Sequence, residues 1–115
     1  MEIKRIGIAG AGLMGASMSQ IFARYGYDVV VYDAFTEALE KGKRLVRLNQ
    51  AAQVEAGEVT EAEAAMTLSA LRFTSALDAL ADRDIIIESI IEKLDVKQDF
   101  WAKLSRIVRP EAILT

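Results

Sequence analysis

Three glycines at fixed spacing, Gly10-Ala-Gly12-Leu-Met-Gly15, stand between a short apolar run, Ile6 to Ala9, and a stretch with helical spacing. In a strand–turn–helix unit the first glycine makes the tight turn, the second lets the backbone approach a pyrophosphate, and the third lets helix and strand pack closely. The N–H groups that open such a helix, here near Leu13 and Met14, have no intrahelical acceptor and can hold phosphate oxygens. Asp33 lies eighteen residues beyond Gly15, at the end of a second apolar run, Val29-Val-Val-Tyr32. A carboxylate there accepts hydrogen bonds from ribose hydroxyls and repels a 2′-phosphate. Glycines also mark ordinary turns, so the reading rests on strand, helix and acid occurring together. It makes Gly10, Gly12, Leu13, Met14, Gly15 and Asp33 the candidate cofactor-binding residues. Ala34 and Phe35 offer no arginine for a 2′-phosphate, so NAD is expected over NADP. FAD is the weaker rival, since flavoproteins usually carry glutamate where Asp33 stands.

A chain of 115 residues suffices for one domain with a core, and is short for a nucleotide domain plus a substrate domain. At 52% hydrophobic and 27% charged residues it reads as globular rather than disordered. Its net charge of −3 leaves no basic footprint for nucleic acid. Without cysteine there is no disulfide, thiolate metal site or cysteine nucleophile, which suits a reducing compartment; cytoplasm is the expected location. Without histidine, the commonest general base and metal ligand are both missing, and no metal site is expected. Residues 6–23 are uncharged and follow Lys4-Arg5, but four glycines, Ser17, Ser19 and Gln20 dilute the run too far for a membrane span or leader.

Periodicity predicts a strand over 3–9 and a helix over 13–25, with Met14, Met18, Ile21, Phe22 and Tyr25 on its inward face. A second strand over 27–33 follows Gly26. Thr36 is a candidate N-cap for a helix to about Ala56, Gly57 interrupts it, and Thr60-Glu-Ala-Glu63 matches a capping box opening another helix to about Leu71. Strands over 72–75, 84–88 and 112–114, a short helix over 76–81 and an amphipathic helix over 94–108 complete the pattern. On that last helix Val96, Phe100, Leu104, Ile107 and Val108 form the apolar side. Alternating strands and helices imply an α/β, Rossmann-like, doubly wound parallel sheet with strand order 3-2-1-4-5. A fifth strand beginning just before Thr115 would leave an open edge, so residues 1–115 are expected to be one dinucleotide-binding domain of a longer protein.

These residues resemble the N-terminal NAD-binding domain of L-3-hydroxyacyl-CoA dehydrogenases, including the 3-hydroxybutyryl-CoA dehydrogenases. The resemblance runs the whole length. It rests on the glycine motif, on Gly26-Tyr-Asp-Val-Val-Val-Tyr-Asp33, on the helical pair between the second and third strands, and on Ile86-Ile-Glu88-Ser-Ile-Ile-Glu92-Lys-Leu-Asp-Val-Lys97. It implies that Glu92 and Lys97 lie against NAD. Spacing alone would equally describe a helix start, with Glu92 and Asp95 favoured by the dipole. The resemblance further implies an acyl-CoA substrate, a role in fatty acid metabolism and, at full length, a homodimer. Family members continue with a Ser-Asn-Thr-Ser stretch, a catalytic histidine and glutamate, and a helical C-terminal domain that completes the site. Lacking histidine, this chain is expected to bind cofactor without turning over substrate; it supplies no catalytic residue.

Lys41, Arg44 and Arg47 recur every three residues and could face coenzyme A phosphates. Glu37 and Glu40, four residues before Lys41 and Arg44, favour a solvated, ion-paired face instead. The family's serine and lysine contacts to CoA fall by counting on Asn49 and Ala56, a poor match. Two other functions compete. One is a β-hydroxyacid dehydrogenase-type domain, which shares Gly-x-Gly-x-Met-Gly but usually lacks the helical pair over 36–71. The other is a non-catalytic nucleotide-binding or structural protein, since fold alone does not fix function.

Overall fold

Val29, Val30 and Val31 are all buried, as residues of a parallel strand covered on both faces should be. A computed structural model describes residues 2–89 and 94–115 of the chain. Strands β1 (Arg5–Ala9), β2 (Asp28–Tyr32), β3 (Leu71–Thr74), β4 (Ile85–Glu88) and β5 (Ile113–Leu114) form one parallel sheet in the order β3-β2-β1-β4-β5. Side chains alternate between its faces. Ile6, Ile8, Val29 and Val31 join Ala23 and Leu39 in one core, while Ala9, Val30 and Ile86 join Leu80, Phe100 and Leu104 in the other. Helices α1 (Leu13–Arg24), α2 (Thr36–Glu55) and α3 (Glu61–Ser69) supply the first face. A 3-10 turn (Leu77–Leu80) and α4 (Leu94–Leu104) supply the second.

The inward face of α1 differs from the one that its large residues suggest. Met14, Ile21 and Tyr25 are 69%, 58% and 78% exposed, and Met18 and Phe22 pack only at the margin of the core. Gly15, Ala16, Ser19, Gln20 and Ala23 are buried instead. The cause is the close approach of α1 to the sheet at Gly15: small side chains fit the gap, and bulky ones are turned outward.

Most ends differ by a residue or two, and that of the last helix by four. Thr36 is the first residue of α2 rather than its cap; Phe35 holds the cap position and makes no side-chain cap bond. Asp33, two residues upstream, takes the Phe35 N–H instead. α4 stops at Leu104, and tighter turns (Ile107 N–H to the Leu104 carbonyl, 3.0 Å) carry Ile107 and Val108 onto the second core. The Val96 side chain lies outside the described part. Phe100 packs against the sheet, its ring stacked on Tyr32 at 6.0 Å between centroids.

The capping box of α3 forms in full, with Glu63 N–H donating to Thr60 Oγ1 at 3.0 Å and Thr60 N–H to Glu63 Oε1 at 2.9 Å. Thr60→Ala is expected to lower stability by about 1 kcal/mol, read as a shifted urea midpoint, with cofactor affinity unchanged because both bonds are exposed and confined to the start of α3.

A polar lock joins the three helices of the first face. Arg24 donates to Thr67 Oγ1 at 2.8 Å and to Gln50 Oε1 at 2.5 Å, and Gln50 donates to Gln20 Oε1 at 2.7 Å. Gln20, Gln50 and Thr67 are buried, so each polar group needs these partners.

Candidate functional site

The glycine motif lies at the carboxyl end of β1, where the chain turns into α1. Gly10 has φ of +117°, a region that L side chains rarely adopt, and its N–H donates to the Tyr32 carbonyl at 2.7 Å. A Cβ built on Gly15 would stand 1.9 Å from the Gly10 carbonyl oxygen, so the third glycine is required by close packing. At Gly12 such an atom would meet nothing within 4 Å. That open side is what an approaching pyrophosphate needs.

Gly12 is also the N-cap of α1, with no side-chain cap bond and no acid in the first turn. The first turn of α1 thus carries no acid of its own, which suits an anion at the helix start. Leu13 and Met14 are exposed beside it.

Asp33 sits across from this loop. Its Oδ2 accepts the Ala11 N–H and its Oδ1 the Phe35 N–H, both at 2.9 Å. The carboxylate therefore braces the glycine turn and the entry to α2, and its remaining lone pairs are available to ribose hydroxyls. The sequence predicts only the ribose contact; the bracing joins residues too far apart for any local pattern to relate. α2 closes in from the other side, where a Cβ on Gly42 would lie 2.8 Å from the Ala11 carbonyl oxygen. A shallow depression of about 460 Å³ opens beside Asp33, lined by Ala34, Phe35, Thr36, Glu37, Ala38 and Lys41.

Lys97 lies in the first turn of α4, and its Nζ is 3.1 Å from Glu88 Oε1 at the end of β4. The sequence leaves Glu88 open, as a polar strand end or a residue bordering the nicotinamide, and does not place it among the site residues. Glu92 lies outside the described residues. On α2, Lys41, Arg44 and Arg47 are exposed. Among the described residues Glu40 pairs with Lys43 at 3.4 Å rather than with Arg44, so the stripe is less neutralised than its spacing suggested.

Among the described residues no helix is long and apolar enough to cross a membrane. The turn, the open second glycine, the free helix start and the strand-end acid together fit a dinucleotide.

Comparison with known proteins agrees. The profile of the 3-hydroxyacyl-CoA dehydrogenase NAD binding domain matches residues 5–115. A probable 3-hydroxybutyryl-CoA dehydrogenase of Deinococcus radiodurans is 37% identical over 110 residues, covering 96% of this chain and 39% of that protein. Among solved structures, FadB2 of M. tuberculosis superposes with a TM-score of 0.95 at 36% identity, covering 99% of this chain and 40% of that one. The (S)-3-hydroxybutyryl-CoA dehydrogenase PaaH1 of Ralstonia eutropha gives 0.93 at 31% identity, covering 98% and 40%. The chain thus spans about two-fifths of the length of these relatives. The match runs through the helical pair over 36–71. The chain belongs to the 3-hydroxyacyl-CoA dehydrogenase family, as its NAD-binding domain.

Proposed function

We propose that Gly10, Gly12, Leu13, Met14, Gly15 and Asp33 hold the adenosine and pyrophosphate of NAD, that Glu92 and Lys97 serve its nicotinamide end, and that residues 1–115 are the nucleotide domain of an enzyme interconverting L-3-hydroxyacyl-CoA and 3-oxoacyl-CoA. The observation that carries this reading is the carboxylate of Asp33, bonded to the glycine turn it faces. When bound, NAD supplies the hydride acceptor. The residues here orient it: the start of α1 meets the phosphates, and Asp33 meets the ribose. No histidine occurs in the 115 residues, so an imidazole that takes the hydroxyl proton belongs outside them. The names of the relatives support a short acyl chain on coenzyme A. A cytoplasmic location, supported by the lack of cysteine, and a homodimer of the complete protein belong to the same reading.

Calorimetric titration with NADH and NADPH tests it. Saturable binding that favours NADH is expected, and Asp33→Ala is expected to weaken NADH at least roughly tenfold, since hydrogen bonds to a charged group contribute about 1.5–3 kcal/mol each. The ratio of the two affinities is the sharper readout. A loosened glycine turn would weaken both cofactors alike, whereas losing the negative charge removes the repulsion of the 2′-phosphate and narrows the ratio. Unchanged selectivity in Asp33→Ala would remove Asp33 from the site.

A further inference from the structure

The strand order reverses direction between β1 and β4, and in an open α/β sheet the ligand crevice lies outside the carboxyl ends of the strands at such a point. The glycine loop occupies the β1 side. On the β4 side Glu88 is in register with Ala9, the residue just before the loop, and Ser89 N–H donates to the Ala9 carbonyl at 2.7 Å. Here the Lys97 ammonium meets the Glu88 carboxylate, with 21% and 15% of the two side chains exposed.

Two features set this pair apart from an ordinary surface ion pair. Lys97 stands in the first turn of α4, where the helix dipole disfavours a cation. Both groups are also largely withdrawn from water, where the cost of desolvation offsets much of their attraction. Stability alone would place an acid or a neutral residue at this helix start. A cation kept there against the dipole, at the switch point beside the glycine loop, points to a role other than stability.

We propose that Glu88 is a positioning residue of the cofactor site, holding the Lys97 ammonium on the nicotinamide side of the crevice and cancelling its charge there. The inference rests on the NAD reading above. The nicotinamide ring is cationic in NAD+ and neutral in NADH, so the net charge of the pair sets the preference between the two forms. Glu88→Gln keeps the shape of the side chain and makes this side of the crevice more positive by one charge, which disfavours NAD+; Lys97→Met makes it more negative by one charge, which favours it.

The test is calorimetry of the 115-residue chain and the two variants with NAD+, NADH and ADP. ADP reports the β1–β2 half alone and serves as the control for folding. We expect ADP affinity to stay within about twofold of wild type in both variants. The ratio of NAD+ to NADH dissociation constants should rise about fivefold in Glu88→Gln and fall in Lys97→Met, an effect of the size one charge exerts across several ångströms of partly screened protein. Equal ratios in all three proteins, or a loss of ADP binding matching the loss of NADH, would overturn the positioning role while leaving the NAD site intact. A wild-type chain that binds neither NADH nor ADP would overturn the site reading and this inference with it.

Discussion

Gly15→Ala is expected to abolish measurable NADH binding and to lower the melting temperature by roughly 10 °C or more, through about 3 kcal/mol of overpacking. The new methyl would stand 1.9 Å from the Gly10 carbonyl oxygen and 3.4 Å from Ile8 Cγ2. The first of these is backbone in a turn already committed to a positive φ, so it has little room to yield. α1 would have to lift from the sheet, carrying with it the N–H groups that face the phosphates. Gly12→Ala separates binding from folding. No atom lies within 4 Å of its added methyl, and its φ of −68° suits alanine. It should melt within a few degrees of wild type, alanine being the poorer N-cap by less than about 1 kcal/mol. The methyl nonetheless occupies the open side that the pyrophosphate needs, so NADH affinity should fall at least roughly tenfold, the equivalent of about 1.4 kcal/mol. Thermal melts and calorimetry on the two variants decide the matter. Gly12→Ala binding NADH as wild type does would refute the assigned role of the second glycine.

What could be read in the sequence is what depends on local pattern. Strand order followed from alternating strands and helices joined by right-handed crossovers, a rule that leaves few arrangements for five short strands. The capping box over Thr60–Glu63 was legible because its two hydrogen bonds span three residues. The glycine roles were legible because each follows from the absence of a side chain. Distances set by tertiary packing were not. Helical spacing picked out Met14, Ile21 and Tyr25, yet the helix buries its small residues, because the Gly10–Gly15 contact fixes how near the sheet it lies. Asp33 and Ala11 are 22 positions apart, and Glu88 and Lys97 belong to a strand and the helix after it. No periodicity relates either pair.

The helical pair over 36–71 is bound into the site. Gln20 and Arg24 lie on the helix that carries the glycine loop, and both bond to Gln50 on α2, while Arg24 reaches Thr67 on α3. α2 also rests on the carbonyl of Ala11, the residue whose N–H Asp33 holds. A displacement of α2 would therefore reach the cofactor loop along two routes, through the polar lock and through the Gly42 contact. In the sequence, two glutamines within helical stretches are indistinguishable from surface residues, which is why the insertion was visible and its attachment was not.

At the opposite rim of the sheet, Asp84→Asn is expected to lower the melting temperature at pH 7 by roughly 5–10 °C and to leave NADH affinity intact below the transition. Asp84 Oδ2 accepts the Lys4 and Arg5 N–H groups, both at 2.8 Å, while Oδ1 takes the Arg109 guanidinium. One buried carboxylate thus ties the entry of β1 and the segment before β5 to the start of β4. Asparagine can serve one of these sets of donors but must turn its own amide N–H toward the other. Those donors, the two backbone N–H groups first, hold the Asp84 carboxyl well below the usual carboxylate range. A carboxyl group whose folded-state pKa is depressed contributes stability that is fully present above its unfolded value, about 3.9, and is lost as the pH falls toward the folded value. Wild type should therefore lose this contribution below about pH 4, and the variant has none to lose. Asp82, lowered by its hydrogen bond to Arg83, and Glu63, lowered by the Thr60 N–H, titrate alike in both proteins. The gap between the two melting temperatures should accordingly be constant from about pH 7 to 5 and shrink toward about pH 2. Melting followed by circular dichroism across that range measures it. A gap that stays constant down to the lowest pH would mean that Asp84 acts through its shape and neutral hydrogen bonds rather than through its charge.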